Sequence, residues 1–299
     1  MIEDPTGTRL AVVGLGNMGL PMAARLAEAG YDVVGYDADP DAAARAEQGG
    51  ITPAARAADA VADAAVVILM LPSSPIVTAL MEDPEVLSRV AAGTLVIDMG
   101  SSEPLATQSL AGALAARGVR LIDAPVSGGV AGAVAGTLTI MVGAESSDFQ
   151  AASGVLAVLG HAVHVGPVGA GDAVKALNNL LSATHLWVTS EAVLAGERFG
   201  VDPETLLSVV NSSSGRSGSS EAKWPRFVLP GTYDSGFALR LMLKDMKIAV
   251  DLCDRVGQSA ALGHEAVQLW ERAAGELPST ADHTEVARWL RTTSPAHTA

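Results

Sequence analysis

The chain of 299 residues has a single cysteine, Cys253, so it can form no intrachain disulfide and no cysteine-rich metal site, as expected of a protein from a reducing compartment. It is short of positive charge. Nineteen Lys and Arg face 33 Asp and Glu, a net charge of -14, and a surface of that sign repels nucleic acid backbones and anionic membranes. Long apolar runs are missing too: the longest, Ala64 to Leu71, is far too short to span a bilayer. The opening Met1-Ile2-Glu3-Asp4-Pro5 lacks the basic and apolar regions of a signal peptide, which predicts a cytoplasmic protein. No internal repeat is visible. Among His161, His164, His185, His264, His283 and His297 no two form a helical metal-ligand pair with acidic partners, so no metal is expected, and no Gly-x-Ser-x-Gly elbow points to a hydrolase. What the chain does have is 49% apolar content and a mean hydropathy of +0.32, ample for a large core and for two domains.

Through residue 169 short β-rich apolar runs alternate with alanine-rich helical stretches, the pattern of a parallel sheet covered on both faces. The runs are Leu10–Val13, Asp32–Tyr36, Ala65–Leu69, Thr94–Asp98, Arg120–Ala124, Leu138–Val142 and Ala162–His164. Val66-Val67-Ile68-Leu69 is continuously apolar, as a strand buried on both sides requires. Beyond Gly171 the strand signals fade. A proline-free stretch from Asp172 to Phe199 predicts a helix roughly 40 Å long, enough to run from one domain into the next. Asp202-Pro203 reads as a helix cap and Asp282-His283-Thr284-Glu285 as a capping box. The expectation is an α/β protein in two parts, a Rossmann-type domain over residues 1–169 and an all-helical domain over 170–299. The serine-rich segment from Asn211 to Ser220 reads either as a flexible linker or, through Arg216, as a loop that meets a substrate. The tail from Thr292 is expected to fray.

Three glycines, Gly14, Gly16 and Gly19, lie where the first strand gives way to the first helix, in Val13-Gly14-Leu15-Gly16-Asn17-Met18-Gly19. In such a cluster the first glycine permits a tight turn, the second lets the backbone approach a pyrophosphate, and the third allows close helix packing. The helix start offers free N–H groups and a positive dipole end to the anion. Asp37, at the end of the second strand and 21 residues after the second glycine, stands where a carboxylate would hold the adenosine ribose hydroxyls. With Asp39 and Asp41 nearby, a 2′-phosphate would be repelled, which favours NAD over NADP.

Four blocks resemble the β-hydroxyacid dehydrogenase family, which includes 3-hydroxyisobutyrate dehydrogenase and tartronate semialdehyde reductase. They are the glycine cluster continued through Leu20-Pro21-Met22, Asp123-Ala124-Pro125-Val126-Ser127-Gly128-Gly129 with Gly136 to Gly143, Gly169-Ala170-Gly171-Asp172-Ala173-Val174-Lys175-Ala176-Leu177-Asn178-Asn179, and Leu241-Met242-Leu243-Lys244-Asp245-Met246. The resemblance implies a Rossmann-type domain, a long interdomain helix and a helical C-terminal domain, with the site in the cleft between them. It implies that Lys175 is catalytic, that Ser127, Gly128, Gly129 and Asn179 contact the substrate, and that Lys244 contacts the cofactor. Leu15, Asn17 and Met18 fall within the cofactor signature, and by similarity Leu71, Pro72 and Ser101 border the dinucleotide. The stretch Asp98 to Pro104, which holds Ser101, departs from the family's usual serine- and threonine-rich form.

Oxidising an alcohol requires a hydride acceptor and a base for the hydroxyl proton, and a lysine beside a cationic nicotinamide suits both directions of that transfer. On a helix Lys175 shares a face with Asn178 and Asn179, with Ser182 one turn on. Ser127 and the following glycine amides form a small oxygen-seeking pocket suited to a carboxylate. The expected substrate is a short 3-hydroxy acid or its semialdehyde, and the expected assembly a homodimer or homotetramer. Imine reduction is the rival reaction, although imine reductases typically lack the lysine. A non-catalytic dinucleotide-binding regulator is the rival of another class.

Overall fold

The computed structural model describes residues 7–293, so the end of the tail lies outside the described residues; Thr292 and Thr293, expected to fray, close the last helix. The chain divides into two compact units, Met1–Lys175 and Ala176–Ala299. In the first, strands and helices alternate: β1 (Arg9–Val13), α1 (Gly19–Glu28), β2 (Asp32–Tyr36), α2 (Pro40–Gln48), β3 (Thr52–Pro53), α3 (Ala57–Val61), β4 (Val66–Leu69), α4 (Ser74–Glu82), α5 (Pro84–Leu87), β5 (Leu95–Asp98), α6 (Pro104–Ala115) and β6 (Arg120–Asp123). There follow β7 (Val126–Ser127), α7 (Gly129–Ala135), β8 (Leu138–Gly143), α8 (Ser146–Leu159) and β9 (Gly160–Gly166).

The strands form one sheet in the order β3-β2-β1-β4-β5-β6-β8-β7, with β9 also paired to β8. Its first six are parallel, in the 3-2-1-4-5-6 order of a dinucleotide-binding doubly wound sheet. Alternate residues of each central strand feed opposite faces. Leu10, Val12, Val66, Ile68, Leu95 and Ile97 enter one core, and Ala11, Val13, Val67, Leu69 and Val96 the other, all almost fully buried. That double burial explains why these strands read as unbroken apolar runs.

The sheet departs from a purely parallel reading beyond β6. There β8 is antiparallel to both β6 and β7, since the two-turn α7 between them is too short to carry the chain back across the sheet. The two-residue strands β3 and β7 are too short to show a periodicity.

The second unit is helical: most of α9 (Ala170–Phe199), then α10 (Pro203–Asn211), a π-helical segment Ser219–Val228, α11 (Leu239–Arg255), α12 (Ala261–Glu276) and α13 (Glu285–Thr293). Its core gathers Trp187, Trp224 and Trp270 with Leu186, Met242, Met246 and Val286. The expected cap at Asp202 is present, its carboxylate accepting from Thr205 N at 2.8 Å. The expected capping box at Asp282 is not. Its carboxylate instead binds Ser235 Oγ, Gly236 N, Phe237 N and Thr284 N, pinning the loop before α11, and α13 begins only at Glu285. Nor is the serine-rich segment a linker: Ser219 and Ser220 are buried, and Asn211 Nδ2 donates to Ser220 O.

Candidate active site

The carboxyl ends of β1, β4 and β5 lie side by side, where ligands of open α/β sheets bind. Gly14 follows β1 with φ of +98°, and a Cβ there would overlap Met70 O and lie 3.3 Å from Leu71 Cδ2. A Cβ on Gly19 would overlap Gly14 O, whereas one on Gly16 would meet nothing within 4 Å. The first and third glycines are therefore demanded by the fold. The second is left open on an exposed turn, as a cradle for a pyrophosphate requires.

Asp37 directly follows β2, and its carboxylate accepts from Leu15 N at 2.6 Å and Asp39 N at 2.8 Å, which holds it against the glycine turn. Arg45, the nearest downstream arginine, is paired to Asp39 at 3.0 Å. These groups fit an adenosine diol and disfavour a 2′-phosphate. Asn17 is exposed and Met18 half-buried in the same turn. Leu71 and Pro72 follow β4, and Ser101 follows β5 just past Gly100, where a Cβ would crowd Leu71 O at 2.6 Å. The structure thus brings Gly14, Leu15, Gly16, Gly19, Asp37 and Leu71 together, with Pro72 and Ser101 on the same edge.

Because β7 and β6 both run antiparallel to β8, the end of β7 faces that same edge. Ser127 closes β7, and Gly128 (φ +130°) and Gly129 lead into α7, with room beside Gly129 for an approaching group.

Lys175 sits in the second turn of α9 and is only 7% exposed. The start of that helix is fixed by Asp123, which opens the second of the four blocks but had no role of its own in the sequence. The Asp123 carboxylate, at the end of β6, accepts from Gly169 N at 2.7 Å and Asp172 N at 2.8 Å, capping α9 from another strand. The glycines around it now have a cause: a Cβ on Gly143 would overlap the Asp123 carboxylate, and one on Gly171 would overlap Met141 O. Asp172 in turn accepts from Thr107 Oγ1 at 2.7 Å and Ser102 N at 3.3 Å, and Asp98 from Ser102 Oγ at 2.6 Å. Burial raises Asp123 to about 6, and burial together with the neighbouring Asp123 and Asp98 charges pushes Asp172 well above the usual carboxylate range. The available signal was two apolar strands each ending in aspartate, Leu-Val-Ile-Asp98 and Leu-Ile-Asp123.

Farther along α9, Asn179 is buried, and its Nδ2 donates to Asp245 Oδ2 at 2.6 Å. Lys244 Nζ lies 3.3 Å from Asp245 Oδ1 on α11. Asp245, unassigned from sequence, is the residue that orients the amide. Asn178 points outward and only donates to Asn179 Oδ1, so of the expected pair Asn179 alone shares the buried face with Lys175. Arg216 is exposed, 3.8 Å from Glu221. No cluster of His, Cys, Asp and Glu fit to hold a metal occurs among the described residues.

Residues 9–167 match the family described as the NAD binding domain of 6-phosphogluconate dehydrogenase, and residues 169–290 the family described as NAD-binding of NADP-dependent 3-hydroxyisobutyrate dehydrogenase. The chain is 40% identical to the 2-(hydroxymethyl)glutarate dehydrogenase of Eubacterium barkeri, over 89% of this chain and 90% of that protein. It is 36% identical to the mitochondrial 3-hydroxyisobutyrate dehydrogenase of Bos taurus, over 95% and 87% of the two chains. Among solved structures it resembles a 3-hydroxyisobutyrate dehydrogenase of Mycobacterium tuberculosis with L-serine, at a TM-score of 0.90 and 33% identity, covering 96% of this chain and 100% of the other.

Proposed function

The chain belongs to the β-hydroxyacid dehydrogenase family, as an NAD-dependent oxidoreductase acting on the CH–OH group of hydroxy acids, and from that premise we propose that Lys175 is its general acid/base. Ser127, Gly128, Gly129 and Asn179 hold the substrate, and Gly14 to Gly19, Asp37, Leu71, Pro72, Ser101 and Lys244 hold the dinucleotide. The observation that carries this reading is the shielded Lys175 side chain, in the second turn of a helix whose start Asp123 locks at the ligand-binding edge of the sheet.

Bound NAD supplies the hydride acceptor. In the oxidative direction Lys175, as the neutral amine, would take the hydroxyl proton as the alcohol becomes the aldehyde, and in reverse its ammonium would protonate the forming alkoxide. Ser127 and the glycine amides grip the carboxylate. Asp245, by holding one N–H of Asn179, turns that amide toward a fixed direction along the helix face. The substrate is a short 3-hydroxy acid, in the class of 3-hydroxyisobutyrate, serine and 2-(hydroxymethyl)glutarate. A panel of three- to six-carbon hydroxy acids, assayed with NAD by absorbance of the reduced nicotinamide, tests this. Turnover of at least one 3-hydroxy acid is expected, and none across the panel would refute it.

The enzyme works as a homodimer or homotetramer in the cytoplasm. Support for assembly comes from Val174, Leu177, Leu181 and Val188, exposed apolar side chains spaced three, four and seven apart along one stripe of α9. Support for the compartment is the lone, half-buried Cys253. No described helix is long and apolar enough to cross a membrane.

A further inference from the structure

The proposed reaction gives no task to Asp172, a carboxylate only 1% exposed in the first turn of α9, three residues before Lys175. An acidic side chain in the first turn of a helix ordinarily stays in water, where the helix dipole already favours it by about 0.3–1 kcal/mol. Burying it costs more than the dipole returns unless hydrogen bonds offset the lost water. Here the burial, with Asp123 and Asp98 close by, holds the carboxyl well above the usual carboxylate range. Helix formation alone does not account for an aspartate at this position.

Its partners do. Asp172 Oδ1 accepts from Ser102 N at 3.3 Å and Oδ2 from Thr107 Oγ1 at 2.7 Å. Ser102 is gripped from its other side by Asp98, which accepts from Ser102 Oγ at 2.6 Å, and the next residue, Glu103, donates its N–H to Ser74 Oγ at the start of α4, also at 2.6 Å. The short connection between β5 and α6 is thereby fixed, and it carries Ser101, next to Gly100 where the backbone passes close to Leu71 O. Thr107 stands one turn into α6, which meets the start of α9 at two further points: Gln108 Nε2 donates to Val168 O at 3.0 Å, and a Cβ on Gly169 would lie 2.9 Å from Pro104 O. All of these residues belong to the first compact unit. One side chain thus joins the connection that carries Ser101, and the helix behind it, to the turn that precedes Lys175.

We infer that Asp172 is a positioning residue of the reaction: by clamping the Ser101 connection to the first turn of α9, it fixes Lys175 relative to the dinucleotide edge of the sheet. Both of its carboxylate oxygens are taken by protein partners, so it acts through Ser102 and through the helix rather than on the reacting atoms. Hydride and proton transfer tolerate little play, since a displacement of about 1 Å between reacting groups can lower the rate about 10²-fold. Asp123 decides where α9 begins, and Asp172 decides what that beginning is held against. The assignment rests on the reading of Lys175 as the acid/base.

The test measures kcat and KM on the best hydroxy acid of the panel, with active sites counted by NAD titration, for Asp172→Ala, Asp172→Asn, Thr107→Val and the double variant Asp172→Ala/Thr107→Val. Asp172→Ala is expected to lower kcat per site by about 10- to 100-fold while KM for the acid and for NAD stays within about threefold. Asp172→Asn, whose amide can accept from Ser102 N and donate to Thr107 Oγ1, recovers most of that loss. Thr107→Val cuts one arm of the clamp, so kcat per site falls by about 3- to 10-fold, the range of one hydrogen bond, with little further loss when it is added to Asp172→Ala. Counting sites removes any loss of folded enzyme from the comparison, and where Asp172→Ala does not fold, the kcat of Thr107→Val carries the test. An unchanged kcat per site in Asp172→Ala or in Thr107→Val, or an asparagine variant as slow as the alanine one, overturns the inference and leaves the reading of Lys175 standing. Turnover at the wild-type rate in Lys175→Met, or oxidation of no acid in the panel by enzyme that binds NAD, overturns both.

Discussion

At the residue scale, the three glycines of the first turn are not equivalent, and they separate folding from binding. Gly19→Ala forces a methyl into Gly14 O and is expected to cost on the order of 1–3 kcal/mol or more in urea unfolding. Gly16→Ala meets no protein atom, so its stability should stay within about 0.5 kcal/mol of wild type while NAD affinity, read by nicotinamide fluorescence, falls at least about tenfold. Equal stability losses would refute the distinction. Asp37 decides between the two dinucleotides by charge. Asp37→Ser removes the repulsion toward a 2′-phosphate and should raise the ratio of kcat/KM for NADP over NAD by about tenfold or more, one favourable polar contact's worth. These roles were legible because strand, turn and carboxylate sit within 30 residues of one another. The bond from Leu15 N to Asp37 was not, since no pattern announces a side chain folding back on the turn.

At the scale of elements, the helix α9 depends on a carboxylate 46 residues before its first turn. Asp123→Asn leaves one acceptor where two backbone N–H groups converge, and should destabilise the protein by about 1–3 kcal/mol and lower kcat by more than it changes NAD affinity, because Lys175 is displaced while the glycine turn is not. Unchanged kcat would show that the cap does not position Lys175. From sequence, Gly169 and Gly171 stood out as companions of the lysine, but their cause, the buried Asp123 carboxylate and the Met141 carbonyl, arrives from strands distant in the chain. The same limit governs the caps. Asp202 serves its own helix and was readable, whereas Asp282 is diverted to Ser235, Gly236 and Phe237, partners no local pattern reveals. The reversal of β8 was hidden because an apolar run carries no sign of its direction.

At the scale of the whole molecule, the α/β organisation was legible in strand spacing, and the family in four blocks spread from residue 10 to residue 250. Asp172 and Asp245 were given no role, because a lone aspartate on a helix signals nothing until its neighbours are known. One buried side chain contributes to the acid limb of stability with a defined pH window. Burial first, then the Lys223 charge, lowers His283 from 6.5 to about 4, so the unfolded chain binds its proton before the folded one does. Its contribution is complete above pH 6.5 and is lost as pH falls toward 4. Urea unfolding at pH 7 and pH 5 should therefore show a smaller acid-induced loss in His283→Gln than in wild type, and an equal loss would remove His283 as the cause. The exposed stripe on α9 makes a prediction about assembly. Light scattering should give a dimer or tetramer, and Leu181→Lys should shift it toward monomer.

The account turns on Lys175 as the group that exchanges the substrate's proton, and its most direct test is the steady-state rate of Lys175→Met on the best hydroxy acid of the panel, with NAD affinity measured in parallel. Turnover should drop by on the order of 10²-fold or more while NAD binds nearly as in wild type, the signature of a lost general acid/base. Turnover within a few-fold of wild type, with the nucleotide bound, would contradict it.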